Sequence, residues 1–170
     1  MENENYIMLN GKKIPLTDEQ VKLIQPDLPE KSPFDRADEG ETYYFVDYQF
    51  DVERSNEFKT PVDDYTYSSA NYCTDENIMK QHALHMLLNN LLWRYSMTHG
   101  GDKINWDDIH EIKFFICYDA ETDEFECDAH DIYKYFGAVP FDSEETAEAA
   151  IEEIVKPFIA EHPDFDLTKM

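Results

Sequence analysis

The sequence predicts an α+β protein made of two tandem ββ(β)α units, in which a helix covers each antiparallel strand meander. Aromatic and β-branched runs typical of strands occur twice in the chain, and each run leads into a capped segment with helical periodicity. The run that begins at Tyr43 matches the run that begins at Phe114, and the helix cap at Thr74 matches the cap at Asp142. Such self-similarity indicates an internal repeat.

Three regions are expected along the chain. Residues 1–33 form an N-terminal hairpin, a short helix and a connector, residues 34–103 form the first unit, and residues 104–170 form the second. Asn10-Gly11 suits the positive φ angles of a hairpin turn.

The helix of the first region is predicted at residues 18–24. Thr17 and Gln20 provide the capping box that opens it, and Pro26 and Pro29 are expected to end it.

The first unit begins with the Tyr-Tyr-Phe-Val run at residues 43–46, and further strands are expected at 50–54 and 65–72. A long helix follows at 78–97, where leucines recur at helical spacing. Apolar residues surround much of this helix, which indicates that it is the central core element.

The second unit repeats this order. Its expected strands are residues 113–118, 125–129 and 133–141. Asp142 and Glu145 form a capping box for the last helix, and Pro157 is expected to kink or end it. Trp93 and Trp106 are expected in or near the core.

The charge balance excludes one class of function. There are 38 acidic residues against 14 basic ones, for a net charge of −24. Affinity for nucleic acid depends on clustered Lys and Arg, so this chain is not expected to bind nucleic acid or anionic membrane directly. With 42% hydrophobic and 14% aromatic residues, it is nevertheless expected to fold.

The acids are concentrated in three blocks, residues 35–64, 107–131 and 142–166. On the last helix three glutamates follow at i, i+4 and i+8, and a further acidic group occupies a hairpin turn. These seven carboxylates are the predicted partner-binding residues: Glu144, Glu148, Glu152, Asp119, Glu121, Asp123 and Glu124. Alternatively, each stretch is simply a solvated face of an acidic protein.

No metal, cofactor or catalytic site is predicted. His82 and His85 lie at i, i+3 near Cys73, but no HExxH or paired-cysteine spacing accompanies them, and both are expected on the exposed flank of the helix. The turn at 119–124 lacks the glycine of a calcium loop. Three cysteines without a CxxC pair, no signal peptide and no apolar run of membrane-spanning length favour a cytoplasmic location.

Several motifs resemble those of small phage and prophage proteins of gut bacteria over residues 40–155. They are Gly40-Glu41-Thr42-Tyr43-Tyr44, Asn71-Tyr72-Cys73-Thr74, Asn105-Trp106-Asp107-Asp108, the strand from Phe114 to Asp119, and the helix from Phe141 to Ile151. The chain departs from the pattern at Cys73, where an aromatic residue is usual, and at residues 76–79, where an acidic run is usual. The resemblance implies a mobile-element origin and favours a counter-defence role.

Two functions are compatible with these observations. The first is a non-enzymatic, phage-type inhibitor that binds the basic nucleic-acid groove of a host defence enzyme, with a CRISPR effector nuclease as the leading candidate, by DNA mimicry or occlusion. The alternative is a phage accessory or assembly module, with a homodimer as one form, whose acidity serves only solubility. An enzyme would need a pocket with perturbed titratable groups, for which His110 and His130 are the candidates.

Overall fold

The computed structural model describes residues 6–24, 31–135 and 137–166. The chain divides into two compact units, residues 1–35 and 36–170. Its strands pair into three small antiparallel sheets of two strands each, accompanied by helices. The predicted α+β class is therefore confirmed.

The smaller unit contains the predicted hairpin. Strand β1 (Tyr6–Leu9) pairs antiparallel with β2 (Lys12–Pro15). The turn residues Asn10 and Gly11 have φ angles of +49° and +77°. Two successive positive φ angles are the requirement of a type I′ turn, which explains the Asn-Gly sequence.

Helix α1 (Asp18–Ile24) follows the hairpin, as predicted. The Thr17 hydroxyl accepts a hydrogen bond from the Gln20 N–H at 3.3 Å, and the Gln20 side chain accepts one from the Thr17 N–H at 3.0 Å. This reciprocal pair is the capping box. Pro26 and Pro29 lie outside the described residues.

The larger unit begins with the first ββα copy. Strand β3 (Thr42–Val46) pairs with β4 (Val52–Asn56), helix α2 (Pro61–Ser68) follows, and helix α3 (Glu76–Thr98) packs on both strands. Tyr44 also forms a single bridge with Cys73, which follows the segment where the third strand was expected.

The second copy has the same plan. Strand β5 (Lys113–Asp119) pairs with β6 (Glu124–His130), and helix α4 (Glu144–Ala150) packs on both. Here the single bridge joins Phe114 to Phe141.

The two bridges fix the register of the repeat. In each copy the bridging residue, Cys73 or Phe141, lies two positions before the residue that caps the helix. The alignment of the two helix caps is thus confirmed. The strand partners in these bridges are Tyr44 and Phe114, so the sequence match of Tyr43 with Phe114 is one position out of register.

Two of the expected strands are wrong. Residues 65–72 do not form a strand, because α2 covers residues 61–68. The helix is opened by Thr60 and Asp63, whose side chains each accept a hydrogen bond from the other's backbone N–H at 3.3 and 2.9 Å. The expected strand at 133–141 is reduced to the bridge at Phe141 among the residues described there.

The cap of α4 is also one position later than expected. Ser143, not Asp142, has the extended backbone of an N-cap residue, and its hydroxyl accepts a hydrogen bond from the Thr146 N–H at 3.2 Å. A serine hydroxyl can serve this role as well as a carboxylate can.

Helix α4 does not end at Pro157. It continues through a π-helical turn (Ile151–Val155) into α5 (Lys156–Glu161). Proline lacks an N–H and crowds the carbonyl four residues earlier, and a wider turn ahead of it accommodates both effects.

Helix α3 is the central element, as predicted. Its first half packs against β3 and β4 through Met79 and Ala83, and its second half packs against α4 through Leu92 and Tyr95. Leu88 contacts the C-terminal segment, where Phe158 and Phe165 are buried.

A buried polar network stabilises the first copy. The Glu57 carboxylate is fully buried and accepts hydrogen bonds from the Arg36 guanidinium at 2.8 and 2.9 Å and from the Tyr72 hydroxyl at 3.1 Å. Asp63 is 4% exposed and accepts one from the Tyr43 hydroxyl at 2.7 Å. The bonds from Arg36 hold the pKa of Glu57 below its usual value, and those from Tyr43 and the Thr60 backbone lower the pKa of Asp63 to about 2.

This network predicts an acid-sensitive contribution to stability. Both carboxyl groups have lower pKa values in the folded chain than their ordinary values of 4.5 and 3.8. Their stabilisation is therefore complete above those ordinary values and is lost as the pH falls toward about 2. The melting-temperature difference between wild type and Asp63→Asn is expected to shrink over that range.

The comparison with Asp63→Asn is needed because the many acids on the surface are protonated over the same pH range, which relieves self-repulsion in both proteins. Thermal denaturation monitored by circular dichroism measures the difference at each pH. A difference that stays constant down to about pH 2 would contradict the assigned role of Asp63.

Candidate functional site

A groove runs between β6 and α4 in the second copy. One wall consists of Phe125, Glu126 and Cys127 of the strand. The other wall consists of the three glutamates predicted at i, i+4 and i+8 on the last helix, together with Ile151 and Lys156. Its volume is about 500 Å³. All three glutamates of the row, Glu144, Glu148 and Glu152, line it.

A second groove of about 450 Å³ adjoins the first. It is lined by Asp123, Glu124 and Phe125 at the start of β6, and by Lys156, Ile159 and Ala160 on α5. Phe125 and Lys156 line both grooves. We call the two together the acidic groove.

The helix wall of the acidic groove follows from the periodicity of α4. Ala147 and Ala150 are buried against the hairpin and the end of α3, and Ile151 is also buried. Residues at i and i+4 share one helix face, so the glutamates project together beside this apolar stripe. Glu144 and Glu148 are separated by about 6 Å along the axis.

The hairpin wall is shaped by its turn. Asp123 has a φ angle of +62°, its N–H donates to the Asp119 carbonyl at 2.9 Å, and its carboxylate accepts a short hydrogen bond from the Tyr118 hydroxyl. The Asp119 carboxylate accepts the Glu121 N–H at 2.7 Å. Both the carboxylate and the backbone carbonyl of Asp119 are therefore hydrogen-bonded within the turn.

Five of the seven predicted partner-binding residues meet at this groove. They are Asp123, Glu124, Glu144, Glu148 and Glu152. Asp119 and Glu121 are in the turn and do not line the groove. Glu126 also lines the groove and was not among the predicted residues.

The carboxylates impose a negative field on the strand wall. The pKa of the Cys127 thiol is raised to about 11 by burial and then by Glu144 and Glu148. The thiol is thus neutral at physiological pH, which excludes a thiolate nucleophile at this position. Lys156 forms an ion pair with Glu152 and is the single ammonium lining the groove among the described residues.

The acids are not arranged as a metal centre. Within residues 6–24, 31–135 and 137–166, no three His, Cys, Asp or Glu side chains are grouped so that they could hold a metal ion. His82 is exposed, but His85 is half-buried and contacts the Phe165 ring at 4.5 Å between centroids, so its expected place on an exposed flank is wrong. Burial lowers the pKa of His85.

His130 lacks the geometry of a catalytic relay. Its Nε2 atom lies 2.9 Å from the Asp128 carboxylate and 2.7 Å from the Tyr135 hydroxyl. Both partners contact the same ring nitrogen, whereas a relay through histidine uses both nitrogens. His110 is exposed, and its backbone N–H donates to the Asp108 carboxylate at 2.9 Å.

Both tryptophans are more exposed than predicted. Trp93 is 56% exposed on α3 and Trp106 is 37% exposed. Trp106 is approached by Lys134, whose ammonium is 4.6 Å from the ring centroid. Among the other aromatic residues, the side chains of Tyr48 and Tyr135 are exposed, whereas Phe50 packs against the core of the first copy.

An equivalent groove in the first copy was not predicted. It has a volume of about 910 Å³ and lies beside Phe50, Asp51 and Val52, which the strand register equates with Phe125, Glu126 and Cys127. When the two helix caps are aligned, Lys80 and Leu84 of α3 take the places of Glu148 and Glu152. The repeat was therefore the signal that could have revealed it.

The helix wall of the first groove differs from that of the second. Lys80 forms an ion pair with Glu76 at 2.7 Å, and the chain's own residues 161–164 complete the lining. Acidic residues also line the first groove, namely Asp51, Glu53, Glu161 and Asp164, so what is specific to the second copy is the row of glutamates along its helix wall.

The fold and the groove define an acidic α+β protein with a duplicated ββα unit and a carboxylate-lined cleft. Comparison with protein-family models, curated proteins and solved structures finds no match. Each helix in the described part of the chain is too short or too polar to cross a membrane.

Proposed function

We propose that this chain is an inhibitor protein whose acidic groove engages the basic nucleic-acid-binding cleft of another protein. The observation that carries the proposal is that six acidic residues and one lysine line two adjoining grooves within the described residues. Two separate acidic blocks of the sequence, 107–131 and 142–166, contribute to these grooves. A scattered solubilising coat would not require them to converge.

The spacing of the carboxylates is compatible with mimicry of a nucleic acid backbone. Glu144 and Glu148 are separated by about 6 Å along α4, whereas a duplex strand carries one charge per about 3.4 Å of its axis, so the row offers about one carboxylate for every two phosphates. The carboxylates of this row would form charge-assisted hydrogen bonds with Lys and Arg side chains of a basic cleft. The net charge of −24 would accelerate encounter with such a cleft.

The proposed target is a host defence enzyme that handles nucleic acid. A CRISPR effector nuclease is the first candidate and a restriction complex the second, on the basis of the resemblance to phage and prophage proteins proposed from the sequence motifs. The inhibitor would act in the host cytoplasm, without a cofactor and without catalysis of its own. Occlusion of the cleft would suffice for inhibition.

This proposal predicts inhibition that competes with DNA. A guide-loaded CRISPR effector nuclease is incubated with the chain, and cleavage of a labelled target duplex is measured. The apparent inhibition constant is expected to rise in proportion to competing DNA and by about tenfold or more when salt increases from about 50 to 200 mM, because the contacts are ionic. Inhibition unaffected by both DNA and salt would refute an electrostatic mechanism.

A second candidate function is an accessory or assembly module whose acidity maintains solubility, with a homodimer as one form. It is favoured by the exposed acids that lie away from the acidic groove, such as Glu39, Asp51 and Glu53. On this alternative, every exposed acid should contribute similarly to solubility, and none should contribute specifically to the binding of another protein.

A further inference from the structure

The outer edge of β6 presents backbone groups that face away from β5. In an antiparallel pair the N–H and C=O of one residue point to the same side, and successive residues alternate. The Phe114 N–H donates to the Phe141 carbonyl at 3.0 Å, and the Phe114 carbonyl accepts the Phe141 N–H at 2.8 Å. Both backbone groups of Phe114 therefore point away from β6, and Phe114 is not hydrogen-bonded to Ala129, its partner in that strand. The N–H and C=O of Ala129 accordingly point away from β5. By alternation, the N–H and C=O of Phe125 and Cys127 also point outward.

Part of this edge is closed by the chain itself. The Ala129 N–H donates to the Asp128 carboxylate at 2.8 Å. For Phe125 and Cys127, no hydrogen bond from these outward backbone groups to another segment is found among the residues that the structure describes. A short length of free strand edge therefore borders the acidic groove, opposite α4.

An exposed strand edge beside a helix can accept an extended peptide as an added strand. A second copy of β6 is an unfavourable occupant, because its Glu124, Glu126 and Asp128 would meet like charges. A strand that alternates Lys or Arg with small residues is favourable. Its alternate side chains are about 7 Å apart, close to the separation of about 6 Å between Glu144 and Glu148.

In the first copy, a segment of the chain itself lies at the equivalent groove. There the non-helical segment after α5 lies beside α3, and the side-chain amide of Gln81 donates to the Asp164 carbonyl at 2.8 Å and accepts the Asp166 N–H at 2.8 Å. The protein's own chain thus borders the first groove through backbone bonds. In the second copy no described segment takes this position.

We propose that the acidic groove binds a Lys/Arg-rich extended segment of its partner, which pairs with the backbone of Phe125 and Cys127 as an added strand. This inference rests on the proposed function, because it names the part of the partner that enters the groove. Hydrogen bonds to the backbone fix the position of the segment, and the glutamates of α4 select its basic side chains.

The test uses the full chain and a fluorescein-labelled peptide of about six residues that alternates lysine and threonine. Two further peptides carry N-methyl groups, one on the lysine amides and one on the threonine amides. Only one of these two sets can face β6 in an added strand. Methylation of that set is expected to raise the Kd by about tenfold or more, while methylation of the other leaves it within about twofold.

Hydrogen exchange provides the second readout. The amide protons of Phe125 and Cys127 are expected to exchange more slowly when the unmodified peptide is added. Absence of peptide binding, equal effects of the two methylated peptides, or unchanged exchange at both amides would each overturn strand addition.

These outcomes are separable from the proposed function. Equal effects of the two methylated peptides, combined with DNA-competitive inhibition of the enzyme, would refute strand addition and leave the inhibitor proposal standing. Asymmetric effects without any enzyme inhibition would support strand addition and refute the inhibitor proposal.

Discussion

Replacement of Glu144, Glu148 and Glu152 together by lysine is expected to weaken inhibition of the target enzyme by about a hundredfold or more. The substitution turns attraction into repulsion along the helix wall of the acidic groove, and like charges at an interface cost several kcal/mol. All three side chains are exposed, so the fold should tolerate the change. The inhibition constant measured in the cleavage assay reports the effect.

The matched control replaces Glu39, Asp102 and Glu145 by lysine. These residues are exposed, lie outside the acidic groove and produce the same change in net charge. Inhibition by this variant is expected to weaken by less than about tenfold through loss of long-range attraction alone. Equal losses in the two variants would show that total charge, and not the groove, determines binding.

Substitution of Glu57 by glutamine is expected to destabilise the protein by about 2 kcal/mol, because it removes the buried charge that several hydrogen-bond donors surround. Glu57 is fully buried and accepts hydrogen bonds from Arg36, Tyr72 and the Lys59 N–H. Arg36 keeps its ion pair with Asp64 at 2.7 Å, so the loss falls mainly on the donors around Glu57. The glutamine also lacks the second carboxylate oxygen that the bidentate contact uses.

The free energy of unfolding from urea denaturation measures this effect. Glu53→Gln is the control, because Glu53 lies on the neighbouring strand but is exposed. It should alter stability by less than about 0.5 kcal/mol. A loss at Glu57 no larger than that at Glu53 would contradict the structural importance of the network.

The elements that the sequence predicted well have strong local signals. The Asn-Gly turn, the Thr17 capping box and the leucine periodicity of α3 each specify structure over a short stretch of chain. Helix α2 was missed because Tyr65 and Tyr67 have high strand propensity. The capping box of Thr60 and Asp63, with Pro61 in the first turn, outweighs that propensity.

The site was only partly predictable for a different reason. Helical periodicity placed Glu144, Glu148 and Glu152 on one face, but no local pattern showed that β6 lies opposite them. That arrangement depends on the packing of α4 over its hairpin, which is a long-range property. Asp119 was predicted to bind a partner, yet its carboxylate accepts the Glu121 N–H within the turn.

The helix walls of the two grooves belong to different elements, so a substitution on α4 alters one groove without altering α3, on which both copies depend for their core. Under the proposed function, an escape mutation in the target would therefore be answerable by change on a single short helix, at little risk to folding.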